Sequence, residues 1–341
     1  MLTHLNMLDI HAHLYPPAYG AALARMGGDS ARLATGLERA GARSPHFRGA
    51  MAERVDMLDR LGIQQQVLSL PAQWVLSEDP AVCIQRARVA NDVLAEECQR
   101  SPGRFAFFAN LPLVDPDAAA REVERCLADA ECVGVVFPTH VLGQPLDWDL
   151  LRPIYAEIER HEVPLFLHPG PPPYSIAPPG QPEFGLGSAL YFPTEDADAL
   201  LRLVLSGTLA LHPRLRVICP HLGGVIPFIL WRIDEQCEGR MPDGNPLPLP
   251  PSQYLLHNVL YDTVTRHPPA MRCAHDTFGP ERLLFGTDFP FVDEQGIREI
   301  LDAVDGLALD ASQRQALLDG RARQWLYPTP RSSERERTSS S

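Results

Sequence analysis

Eight short apolar runs punctuate the chain: Met7–Leu14, Gln66–Leu70, Phe105–Leu111, Val133–Thr139, Pro164–His168, Arg216–His221, Val259–Val264 and Leu283–Phe289. Several are nearly continuous in Val, Ile, Leu and Phe, as in VGVVF and LRVICP. Continuous apolar runs suit strands buried on both faces, the pattern of a parallel sheet. Helical periodicity fills most of the gaps. Ala81–Cys98 contains no Gly or Pro and sets Val82, Ala87, Ala90, Val93 and Leu94 on one side. Asp117–Ala130 repeats that period behind an acidic first turn, which complements the helix dipole. Leu150–His161 and Asp196–Leu211 continue the alternation.

Eight strands alternating with helices predict an α/β fold, a (β/α)8 TIM barrel. A doubly wound open sheet is the alternative. No G-x-G-x-x-G follows the first run, which speaks against a dinucleotide site. Two proline-rich segments, Pro169–Pro182 and Pro242–Pro251, interrupt the pattern. The first is expected either to wall the barrel mouth as a lid or to form an irregular surface loop. Pro328–Ser341 is rich in Ser and Arg, lacks large apolar residues and is expected to be a disordered tail. Residues 1–327 then form one barrel domain with loop insertions.

Charge narrows the partners. Lys and Arg number 30 against 43 Asp and Glu, a formal net charge of −13. A nucleic-acid partner needs a basic surface, so none is expected; a small anion in a local positive pocket is compatible. No run of about 18 apolar residues occurs, so no membrane span is expected. The opening MLTHLNMLDI lacks the basic and long apolar stretches of a secretory signal. The seven cysteines are scattered and form no C-x-x-C. Reduced thiols in the cytoplasm are the simplest expectation.

Candidate chemistry sits where the runs end. The first ends in Asp9-Ile10-His11-Ala12-His13, and a strand's period of two puts His11 and His13 on one side. The fifth ends in His168, the sixth in His221 followed by Leu222-Gly223-Gly224, and the eighth carries Gly286-Thr287-Asp288. A barrel brings all these ends to one rim. His11, His13, His168 and Asp288 together suit a divalent metal with an outer position left open. His221 would then be free to move protons. Taken singly, each has a plainer explanation: an incidental His-x-His, a turn-capping Asp, a Gly pair for close packing. The coincidence of position at four strand ends carries the metal site.

These segments also carry a family resemblance. HAH, LFLHPG, CPHLGG and LLFGTDFPF resemble the amidohydrolase-related group of the amidohydrolase superfamily. They are most similar to the branch of aminocarboxymuconate-semialdehyde decarboxylase, the resorcylate decarboxylases and 6-methylsalicylate decarboxylase. The resemblance runs from about Asp9 to Trp325 and includes Arg54–Leu70 and Leu318–Leu326, although Arg321 stands where members usually have Asn. It implies that His11, His13, His168 and Asp288 hold a divalent metal, most often zinc, with manganese compatible. It implies that His221 is the catalytic acid/base. It also implies that Arg232, in the string WRID, meets a substrate carboxylate, in some members from the neighbouring subunit of a homodimer. WRID is closest to the hydroxybenzoate decarboxylases, whereas His-x-His is shared with the semialdehyde and methylsalicylate enzymes.

The activity implied is metal-dependent, non-oxidative decarboxylation of an aromatic or unsaturated hydroxy or oxo carboxylic acid, without an organic cofactor. The alternative on the same scaffold is a hydrolase of an amide, ester or lactone, or a hydratase, with His221 and Asp288 sharing the proton work. A barrel with a degenerate site acting as a binding protein is the non-enzymatic alternative. Weaker substrate-contact candidates are His140 after the fourth run, Arg48 in a loop, and Trp74 past the second run. Asp262, ending the seventh, is placed to orient a ligand histidine.

Overall fold

The computed structural model of the protein describes residues 6–42, 44–170 and 184–327. Most of the first proline-rich segment and the tail beyond residue 327 lie outside the described residues. All eight runs form strands: β1 (Met7–His13), β2 (Ile63–Ser69), β3 (Phe105–Asn110), β4 (Cys132–Pro138), β5 (Pro164–His168), β6 (Arg216–Cys219), β7 (Val259–Asp262) and β8 (Leu283–Leu284). They pair in chain order, each parallel to the next. The amide of Ile10 donates to the Phe285 carbonyl at 3.0 Å, and Ala12 bridges Phe289, which closes β8 onto β1. The architecture is the (β/α)8 barrel and not the open sheet.

The strands read as continuous apolar runs because both faces are buried. Leu8, Ile10, Val67, Ala106, Phe108, Val136, Phe166, Ile218, Leu260 and Leu284 fill the barrel interior. Alternate residues such as Phe105, Phe107, Val135, Phe137, Leu165 and Val217 pack outward with the helices. Helices form at Pro80–Gln99, Pro116–Leu127, Arg152–Arg160 and Phe192–Leu205, among others. Asp79 and Asp115 cap the first two through backbone amides.

Three details depart from the sequence pattern. The last run is a regular strand only over Leu283–Leu284, where its partner β7 ends at Asp262, and Asp288 beyond it has a φ of 60°. The helix expected from Asp196 begins at Phe192 and breaks at Gly207, with a short second piece at Thr208–Leu211. A small antiparallel hairpin, His140–Val141 with Gln144–Pro145, follows β4. Arg321 has its own use: its guanidinium donates to the carbonyls of Pro280 and Leu283, both at 3.0 Å, tying the last helix to β8.

Gly134 marks the tightest strand contact. A Cβ there would lie 2.6 Å from the Pro164 carbonyl oxygen and 3.1 Å from the Phe108 ring. Gly134→Ala is therefore expected to lower stability by about 1–3 kcal/mol through overpacking of β4 between its neighbours. A lower urea midpoint with an unchanged slope checks this.

Candidate metal centre

The barrel rim assembles the side chains from the strand ends. His11 Nε2 lies 3.1 Å from His13 Nε2, and Asp288 Oδ1 is 3.0 Å from His13 Nε2 and 3.3 Å from His11 Nε2. His168 joins them: one ligand atom from each of the four falls within 4.8 Å of the others. The three imidazoles are buried and Asp288 is nearly so. Residues separated by 277 positions meet because the Asp288 amide donates to the His11 carbonyl at 2.8 Å.

Neighbours fix the ring orientations. His11 Nδ1 donates to Asp262 Oδ2 at 2.6 Å, and His13 Nδ1 sits 2.9 Å from Ser69 Oγ. Each ring therefore turns Nε2 inward. With the hydrogen on Nδ1 of both neutral rings, the two inward nitrogens at 3.1 Å face each other lone pair to lone pair. His168 Nδ1 is buried without a hydrogen-bond partner. Converging lone pairs, an orphaned imidazole nitrogen and one carboxylate are what a divalent cation of zinc or manganese type requires. The set fits a metal.

Electrostatics agree. Burial, reinforced by the neighbouring His13 and His11, holds His168 well below the usual imidazole range, and burial likewise lowers His13. Burial works against the Asp288 carboxylate, yet His11, His13 and His221 outweigh it and hold its pKa well below the usual value. His11 is desolvated too, but Asp288 and Asp262 push it up to about 9.

His221 stands at the edge of the cluster. Its Nε2 is 3.9 Å from Asp288 Oδ2, and its Nδ1 donates to Asp196 Oδ2 at 2.8 Å. Burial disfavours its charged form, but Asp196 and Asp288 together raise it well above the usual range. Asp196 escapes sequence reasoning. It lies one turn into the helix Phe192–Leu205, away from any strand end.

The weaker candidates are spread more widely. Trp74 is half-buried near Tyr15, in an aromatic wall that continues through Phe47 and Phe291 to the His13 ring. His140 opens the hairpin after β4, where its Nδ1 accepts from the Gly143 amide at 3.2 Å. Arg48 is exposed and lies against Gly41. Arg232 is exposed on the helix Ile226–Gln236, its guanidinium 5.6 Å from the Trp231 ring centroid, and is not gathered into the cluster. A second acidic group, Glu124, Glu157 and His161, is exposed or half-buried and already surrounds Arg160. A groove of about 560 Å³ beside Asn91, Arg125 and Asp129 is lined by none of the rim residues.

The profile of the amidohydrolase family matches residues 8–326. The chain belongs to this family. Among amidohydrolase relatives, gamma-resorcylate decarboxylase of Rhizobium radiobacter is 40% identical over 249 residues, 70% of this chain and 76% of the relative. 6-Methylsalicylic acid decarboxylase of Aspergillus aculeatus is 28% identical over 331 residues, 91% of this chain and 94% of the relative. The crystal structure of a dihydroxybenzoic acid decarboxylase from Polaromonas sp. JS666, with bound manganese and the inhibitor 2-nitroresorcinol, superposes with a TM-score of 0.73 at 26% identity. It covers 94% of this chain and 96% of that one.

Metal analysis tests the cluster directly. His168→Ala and Asp288→Ala are expected to lose bound zinc or manganese after metal-supplemented expression. Asp262→Asn should keep the ion but bind it about 10- to 100-fold more weakly. Affinity should rise from pH 6 to pH 9, because the ion must displace the proton from His11, whose pKa is raised to about 9. Calorimetric titration in buffers of different ionisation enthalpy reads that proton release.

Proposed function

We propose that the protein is a metal-dependent, non-oxidative decarboxylase of an aromatic acid bearing a hydroxyl group beside its carboxylate. The observation that carries this reading is the His11, His13, His168 and Asp288 cluster with the His221 imidazole at its edge, its Nε2 3.9 Å from Asp288. Similarity to resorcylate and methylsalicylic acid decarboxylases favours carbon–carbon cleavage over hydrolysis. Residues 1–327 serve as one catalytic domain.

His11, His13, His168 and Asp288 would hold the ion, zinc or manganese. When bound, it would supply Lewis-acid charge for the substrate's carboxylate and phenolic oxygens. His221 carries the proton. It passes from Nε2 to the ring carbon that bears the carboxylate, which becomes tetrahedral. The bond to the carboxyl carbon then breaks, its electron pair restores the aromatic ring, and CO₂ leaves. His221 regains a proton from solvent, and Asp288, 3.9 Å away, favours its charged form in the resting site. The electron sink is the substrate ring, so no organic cofactor is needed. Trp74, with Tyr15, Phe47 and Phe291, walls the ring; His140 and Arg48 are assigned to its polar substituents.

Arg232 is assigned to the substrate carboxylate of a neighbouring subunit. It shares an exposed apolar helix face with Phe228 and Trp231, which are 82% and 60% exposed. A homodimer would cover that face. Among the described residues no helix is long and apolar enough to cross a membrane. All seven cysteines are free thiols, which supports a cytoplasmic setting.

CO₂ release measured beside pH-stat acid release, over hydroxybenzoates, lactones and amides, tests the reaction type. CO₂ from an ortho-hydroxybenzoate is expected, and turnover of a lactone without CO₂ would point to hydrolysis instead. His221→Ala should keep the metal and lose about 100- to 10,000-fold in kcat. Mixing inactive His221→Ala and Arg232→Ala chains should restore activity, and failure to do so would remove Arg232 from the shared site.

A further inference from the structure

Four consecutive residues after β6 have positive φ: His221, Leu222, Gly223 and Gly224, at 51°, 59°, 76° and 62°. Two of them carry side chains that disfavour this region, so the turn persists only if its surroundings hold it. The glycines show how tightly it is held. A Cβ on Gly224 would fall 1.9 Å from the Pro193 carbonyl oxygen, and one on Gly223 would fall 2.7 Å from the Tyr261 ring. The turn is wedged between β7 and the start of the helix Phe192–Leu205.

Asp196 stands one turn into that helix, fully buried. Its Oδ2 accepts from His221 Nδ1 at 2.8 Å, and its Oδ1 has no hydrogen-bond partner. A buried carboxylate held by a single hydrogen bond is a poor device for stability, because desolvation costs more than one bond returns. Its geometry serves His221 instead. A carboxylate can only accept, so the ring must carry its hydrogen on Nδ1. That directs Nε2 toward Asp288, 3.9 Å away, and the metal cluster. Without Asp196 the imidazole at the tip of a strained turn has no other anchor for Nδ1 among the described residues.

We propose that Asp196 is the positioning residue for His221, fixing its tautomer and its ring orientation at the start of the positive-φ turn. This rests on the reading that His221 supplies the proton. The consequence is a chemistry-specific defect. Asp196→Asn presents an amide that can turn its NH₂ toward the ring and favour the wrong tautomer, the kind of change that costs orders of magnitude in a Ser-His-Asp triad.

Asp196→Asn is expected to lower kcat at least about 100-fold, with KM changed less than threefold and metal content equal to wild type. In zinc-loaded, ¹⁵N-histidine-labelled protein, one downfield Nδ1–H resonance should disappear in His221→Gln and shift in Asp196→Asn. Full activity in His221→Gln would remove the proton-donor reading on which this rests. Loss of activity in His221→Gln with kcat within threefold of wild type in Asp196→Asn would overturn the positioning role alone. A decline in Asp196→Asn that merely tracks lost metal or lost folded protein would also overturn it. So would a wild-type His221 ring protonated only at Nε2, a result that needs no variant to fold differently.

Discussion

The whole rim depends on the seam where the end of the chain returns to its beginning. Asp9, fully buried beneath the histidines, accepts from the backbone amides of His11 and Thr287, from the Thr287 hydroxyl and from the Gln66 side chain. One carboxylate thus joins β1, β2 and the segment after β8. Burial raises its pKa to about 6, against the lowering effect of those hydrogen bonds. Around it run the hydrogen bonds from the Asp288 amide to the His11 carbonyl and from the His13 amide to the Phe289 carbonyl. The distance between the imidazole pair and Asp288 is set by this seam and not by the side chains themselves.

Strain is placed where the chemistry is. Asp288 and His221 both have positive φ, the first at 60° and the second at 51°. Neither is glycine, so each conformation is maintained by neighbours at a cost. For Asp288 the neighbours are β1 carbonyls and amides; for His221 they are Pro193, Tyr261 and Asp196. Both groups are thereby lifted off the regular strand path and into the rim. A regular continuation of β8 past Leu284 would have kept Asp288 in the ladder.

Charge is organised on two scales. The chain as a whole carries −13, and the rim gathers four imidazoles around one carboxylate, Asp288. Buried carboxylates sit behind the rings, Asp262 on His11 and Asp196 on His221, while Ser69 supports His13. The ring edges presented to the centre are therefore the polarised ones, and the anionic partners stay at the back.

The order of strands and the identity of the five rim residues were legible in the amino-acid sequence. Apolar runs report strands because both faces of a parallel barrel are buried, and a period of two forces His11 and His13 to one side. Polar residues at the ends of such runs are visible because the pattern stops there. Asp196 was not legible, since a helix turn 25 positions before His221 shares no periodicity with it. The exposure of Arg232, the shortening of β8 and the Asp9 network were hidden for the same reason. Hydrophobic patterning records which face of an element is buried; ring orientation, backbone strain and contacts between distant elements arise only once the barrel closes.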